Sequence, residues 1–252
     1  MDSPSDTLSL GGTLRQATDI FGVHVGSLLL LCAGGVLFDA LLTYVGNAVT
    51  FGYGEPVFAM LSVVLQEVLY FGPAVLIWNE IQRRRLVSEA PSTDVLVTTN
   101  TLGTLLSGFN SKRAWGVAFQ VTLLYFSAFS LLGCLGTVFG GIFLYFVPGG
   151  LMLVVKVIRT LIGPIIGAGY LATALAVARP NHGVTDATSG GFRLMVKFPL
   201  VAGLVLGVGG FVEQLAGLTV ILAVLLDAFM LCYAAALVRQ LIDHRQLTAD
   251  PV

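Results

Sequence analysis

Charged side chains are scarce in this chain: Asp, Glu, Lys and Arg together make up 11% of its 252 residues, and thirteen bases almost cancel fourteen acids. That balance gives no basic field of the kind that draws nucleic acid. Cysteine is rarer still. Cys32, Cys134 and Cys232 each stand alone in an apolar run, with no CxxC pair and no pair of histidines nearby. Each therefore reads as a small buried hydrophobe, and neither a disulfide framework nor a zinc site is implied. His24, His182 and His244 are far apart and lack HExxH spacing, and no nucleophile elbow, phosphate-cradling loop or dinucleotide fingerprint occurs. The sequence thus offers no catalytic residues, no metal ligands and no cofactor site, and the expectation is a non-enzymatic protein. The opening stretch MDSPSDTLSLGG is acidic and polar. It lacks the basic start and the small-residue cleavage site of a signal peptide, so the first apolar run is expected to remain as a membrane anchor.

Apolar residues dominate instead. With 56% hydrophobic residues and a mean hydropathy of +0.90, an ordinary soluble fold is excluded and lipid is the solvent. A helix needs roughly 20 apolar residues to cross a bilayer. Six stretches approach that length, at about 23–44, 56–78, 114–138, 161–177, 198–212 and 218–238. The segment 139–160 is apolar but broken at Pro148-Gly149-Gly150 and carries Lys156 and Arg159; it reads as interfacial or re-entrant rather than as a seventh span. Six spans place Arg15, Arg83, Arg84, Arg85, Lys112, Arg113, Arg179, Arg193, Lys197, Arg239 and Arg245 on one side and only Lys156 and Arg159 on the other. Because cytoplasmic loops collect Lys and Arg, both termini are expected in the cytoplasm. The expected location is a cell membrane, of the prokaryotic cytoplasmic type.

A pattern recurs along the chain. TLRQATDIFGVHVG, TLGTLLSGFNSKRA and VTDATSGGFRLMVK can be anchored on Phe21, Phe109 and Phe192, 88 and 83 residues apart. Each has Thr or Ser shortly before the Phe, a polar or basic residue shortly after it, and a long apolar run next. Leu14, Ala17 and Phe21 share one helical face, as do Leu102, Leu105, Leu106 and Phe109; a short helix of this kind lies in the headgroup region before the chain turns into the bilayer. Gly72-Pro73 and Gly163-Pro164, 91 residues apart, mark a second shared landmark. The expected fold is therefore all-α, a single membrane domain over residues 1–252. It comprises six transmembrane helices as three tandem hairpins, each preceded by an amphipathic interfacial helix, in parallel units of about 10–85, 98–179 and 183–245. Trp115 reads as an aromatic anchor at headgroup level. Gly136/Gly140, Gly163/Gly167 and Gly203/Gly207 have the small-xxx-small spacing that lets helices approach closely.

The stretches LGGTLRQATDIFGVHVGSLLLL and GPIIGAGYLATALAVARPNHGVTDATSGGFR are similar to loosely related six-helix bacterial membrane families of unknown function. Among these is the membrane region fused to some glycerophosphoryl diester phosphodiesterases. The resemblance covers most of the chain through hydropathy and a few small-residue motifs. It implies a six-helix membrane fold, and since no phosphodiesterase domain is present it brings no activity and no catalytic residues.

Ionisable groups inside a bilayer are costly, about 2.5 to 3.5 kcal/mol each, and are functional candidates for that reason. Asp39, Glu67 and Asp227 fall in the first, second and sixth stretches. Facing a common interior they would form a proton or cation relay, or hold a polar headgroup; satisfied locally they would be structural acids. Arg83, Arg84, Arg85, Lys112, Arg113, Arg193 and Lys197 would attract anionic headgroups or a cytoplasmic partner, at roughly 1 kcal/mol per charge. The expected role is an accessory, scaffold or lipid-interacting component, with membrane lipids and a membrane-protein partner or second copy as its associates and no nucleic acid. The alternative is a small proton- or ion-coupled transporter or permease subunit using the intramembrane acids.

Overall fold

The structure, a computed structural model, describes residues 9–50, 55–89, 101–146, 150–216 and 220–244. All its elements are helical: α1 (Leu10–Thr50), α2 (Glu55–Glu89), α3 (Thr101–Asn110), α4 (Lys112–Phe146), α5 (Gly150–Ala178), α6 (Val184–Lys197), a π-helical segment (Pro199–Leu204), α7 (Val205–Ala216) and α8 (Val220–Asp243). Helix is what a chain of this composition has to form. In lipid no water answers a free backbone N–H or C=O, and a helix satisfies both within the segment. Pro73 and Pro164 lie inside α2 and α5, where neighbouring helices accommodate the missing N–H.

Among the described residues three helices are long and apolar enough to cross a membrane, within Leu10–Gly46, Lys112–Leu132 and Ile221–Asp243, and the bent pair Val184–Lys197 and Pro199–Gly209 makes a fourth if counted as one span. Residues Pro164–Ala178 form a shorter apolar helix. The second expected span lies in α2, which has Gln66 and Glu67 in its middle and Asn79 and Glu80 beyond. The expected interfacial or re-entrant segment 139–160 is not a separate element. Its first part continues α4 to Phe146 and its last part opens α5 at Gly150; residues 147–149 lie outside the described residues.

Each expected interfacial segment ends at a break in the helix. In α1 the break is His24, with φ −111° and ψ 15°. Between α3 and α4 it is Ser111, whose Oγ accepts the Ala114 N–H at 3.2 Å and so caps α4. After α6 it is Phe198, with φ −122° and ψ 66°, where the axis turns by 103°. Proline at 199 supplies no N–H, and the Phe198 carbonyl accepts both Ala202 N–H at 2.8 Å and Gly203 N–H at 3.2 Å, which widens the next turn into the π form. His24 and Ser111 are 87 residues apart, as are Ser111 and Phe198, a stricter period than the Phe-anchored spacing.

Packing divides the helices into inner and outer. α2, α5 and α8 touch one another, α1 packs against α2 and α8, α4 against α2 and α5, and α7 against α5 and α8. In the α8 span 67% of the residues are buried against 24% in each of the α1 and α4 spans, so α8 is an inner helix. Tyr170 and Leu171 of α5 are fully buried with Leu231, Tyr233 and Leu237 of α8. The short lead-in helices are not free amphipathic cylinders: the start of α1 sits on α8, α3 on α2 and α6 on α5. Thr13 Oγ1 donates to Gln240 Oε1 at 2.9 Å, and Phe21 meets Phe229 edge-on at 6.2 Å.

Close approach explains two glycines. A Cβ on Gly191 would lie 2.6 Å from the Ala168 carbonyl oxygen, and one on Gly167 would lie 2.6 Å from that of Leu206, so α6 and α7 both contact α5 through backbone. Gly26 has nothing within 4 Å. Gly167→Val and Gly191→Val should each lower stability by about 1–3 kcal/mol through overpacking, whereas Gly26→Ala should be neutral or raise it by up to about 1 kcal/mol. Thermal unfolding in a mild detergent compares the three.

Candidate functional site

Asp227 lies in the first half of α8 and is 1% exposed. Its carboxylate accepts hydrogen bonds from the phenols of Tyr170, at 2.6 Å to Oδ1, and Tyr70, to Oδ2. The two rings stack at 6.1 Å between centroids. One side chain from each inner helix therefore meets at this point: Tyr70 from α2, Tyr170 from α5 and Asp227 from α8. Tyr70 also accepts from Gln66 Nε2 at 2.6 Å, so polarity passes from amide to phenol to carboxylate. A buried carboxylate requires donors, and here they come from helices far away in sequence.

Glu67 stands one residue from Gln66. Its Oε1 lies 3.3 Å from where a Cβ on Gly169 would be, next to Tyr170, and its Oε2 is buried with no hydrogen-bond partner among the described residues. A cavity of about 80 Å³ opens beside it, bounded by Gln66, Glu67, Tyr70, Tyr125 and Tyr170 and closed by Val63, Val121, Ile165 and Ile166. That space admits a few waters or a small cation. Two of the three acids singled out in the sequence are thus drawn to the same pair of tyrosines. Asp39 falls in α1, and its side chain lies outside the described residues.

The basic candidates divide into two kinds. Arg83 grips Glu80 bidentately, Nε to Oε2 and Nη2 to Oε1 at 2.8 Å each. Arg84 Nε donates to Glu80 Oε1 at 2.8 Å, and its Nη2 donates to the Asp19 carbonyl at 3.3 Å. His24 Nε2, at the break in α1, lies 3.3 Å from Glu80 Oε2. Arg113 donates to the carbonyls of Pro180 at 2.5 Å and Arg179 at 2.7 Å, closing the end of α5, where orphan carbonyls are due. Arg85, Lys112, Arg193 and Lys197 are exposed; Lys197 Nζ sits 5.2 Å over the Phe198 ring. Lys156 and Arg159 belong to the first turns of α5, and their side chains lie outside the described residues. Trp115, expected as an anchor, is 37% exposed. It donates from Nε1 to the Phe109 carbonyl at 3.0 Å, bracing the α3–α4 break.

Sequence reasoning missed Tyr70, Tyr170 and Glu80. Glu80 could have been found: it precedes Arg83 and Arg84 by three and four residues, the helical spacing for ion pairs. The tyrosines carried no such signal.

Burial of Glu80, 5% exposed, pushes its carboxyl up, but hydrogen bonds from Arg83 and Arg84, the approach of His24 and the charge of Arg83 outweigh this and hold it at about 2, below the usual 4.5. A depressed folded value means that the unfolded chain takes up the proton first as pH falls. Stability from this cluster is therefore complete above about 4.5 and is lost between 4.5 and 2. The unfolding midpoint in detergent should fall over that window, and Glu80→Gln should remove this part of the fall while lowering the midpoint at pH 7.

Comparison with protein-family models, curated proteins and solved structures finds no match to this chain.

Proposed function

We propose that this chain is a non-enzymatic polytopic membrane protein acting as an accessory, scaffold or lipid-interacting component. In this reading it crosses the membrane six times, as three units of lead-in helix and helical hairpin, with the basic end and both termini in the cytoplasm of a prokaryotic cell. The regular breaks at His24, Ser111 and Phe198 support three units. So does the packing of each lead-in helix on one of the inner helices α8, α2 and α5.

The observation that carries the reading is the extent of exposed apolar surface. Large apolar side chains face outward along several helices: Leu30, Leu37 and Leu41 of α1, Phe119, Leu123 and Leu131 of α4, Leu204 of the π-helical segment, Val208 of α7, and Ile221 and Leu225 of α8. A surface of that extent marks contact with lipid or a membrane partner. Two of the bases are engaged within the protein, where Arg84 joins α2 to α1 and Arg113 joins α4 to the end of α5. Purification in native-membrane discs followed by mass spectrometry of bound lipids and proteins should show anionic lipids, or one membrane protein, enriched over the surrounding membrane. Contents identical to the bulk membrane would overturn the reading.

A second reading, a small proton- or ion-coupled transporter, is favoured by the unpartnered Glu67 Oε2 beside the cavity. In that case Glu67→Gln and Asp227→Asn, folded normally in proteoliposomes, should abolish proton- or cation-linked flux. Flux unchanged by both substitutions would rule it out.

A further inference from the structure

At the basic end, the first turns of α1 and the last turns of α2 and α8 enclose a pocket of about 410 Å³. Its floor is apolar: Ile20 is fully buried and Ile81 is 4% exposed. Gln16 from α1, Arg84 and Arg85 from α2, and Arg239 from α8 line it, with Asp243 beside Arg239. We propose that this pocket binds a phosphate group, carried by an anionic lipid headgroup or present as free phosphate.

Charge is the first argument. The lining holds three guanidinium groups and one carboxylate. Glu80 is shared between Arg83 and Arg84. Arginine is rarely buried, yet Arg239 is only 8% exposed. Its Nε contacts Asp243 Oδ2 at 2.8 Å, and Asp243 is itself 48% exposed. A guanidinium has five N–H donors in a planar fork, more than one carboxylate oxygen takes up, and that fork matches two oxygens of a phosphate.

Preorganisation is the second argument. Arg84 bonds the Asp19 carbonyl of α1, and Thr13 of α1 bonds Gln240 of α8. The three helices are thereby pinned on both sides of the pocket, so binding would order little that is not already ordered. The third argument is position. Exposed Val23 and Val25 follow Ile20 on α1, so basic rim and apolar wall adjoin in the order of a headgroup and its acyl chains. The lipid source rests on the membrane reading above, whereas free phosphate would fill the same pocket in a protein of any role.

The test uses the full chain in phosphatidylcholine nanodiscs with and without phosphatidylglycerol, and in neutral detergent with inorganic phosphate, reading bound lipid by native mass spectrometry and phosphate by thermal shift. Wild type should bind one of the two probes. Arg239→Gln and Arg85→Gln should each weaken that binding by about tenfold, and Asp243→Asn should strengthen it. Should Arg239→Gln fail to fold, Arg85→Gln and Asp243→Asn still give opposite expected signs on a folded protein. Variant-sensitive binding of phosphatidylglycerol alone assigns the pocket to a lipid headgroup, and of inorganic phosphate alone to the free anion. Phosphatidylglycerol binding that none of these substitutions changes overturns the pocket and leaves general lipid association standing. Binding of neither probe also overturns the pocket, while lipids retained from native membranes separately decide the broader reading.

Discussion

A carboxylate among apolar helices has to be answered, and the way Asp227 is answered governs the interior of this protein. Its two oxygens take one phenol from α2 and one from α5. Hydrophobic packing alone would tolerate rotation of α8 about its axis or a slide by one turn, since one apolar face resembles another. Two directional bonds to two different helices do not tolerate either change. The three inner helices are thus indexed against one another at a single level, and the large buried residues on either side of it, Leu231 and Tyr233 of α8 and Leu171 of α5, interlock from there. Polar groups are scarce enough in this chain that each can set a register.

The same economy governs the basic end. Arg83 and Arg84 neutralise Glu80, Arg84 reaches across to α1, and Arg113 closes the carbonyl end of α5. These side chains hold helices together at the point where the apolar runs stop. Lys112, Arg193 and Lys197 are exposed. Residues alike in sequence therefore differ in role, some joining helices within the protein and others standing at its surface.

The helical class and most of the apolar runs were legible because a membrane leaves the backbone one economical solution. The lead-in segments were legible too, but their partners were not. Leu14, Ala17 and Phe21 read as a face meant for lipid, whereas Ala17 is fully buried, Leu14 and Phe21 pack against the core and the start of α1 packs on α8. Periodicity reveals that a face is apolar and does not reveal what covers it. Asp227 and Glu67 could be singled out by their cost, yet their convergence could not be read, since 160 residues separate them. Tyr70 and Tyr170 gave no warning because a tyrosine in an apolar run is ordinary. The break at Ser111 was readable in principle, from a capping serine three residues before Ala114.

The contact between Thr13 and Gln240 spans 227 positions, and it joins the first described helix to the last. α1 packs on both α2 and α8, and synthesis runs from α1 to α8. The contacts of α1 with α2, such as Arg84 on the Asp19 carbonyl, need only the first two helices, whereas the Thr13–Gln240 bond needs the last. The order of synthesis thus leaves this join between the two ends of the chain to be closed after the others.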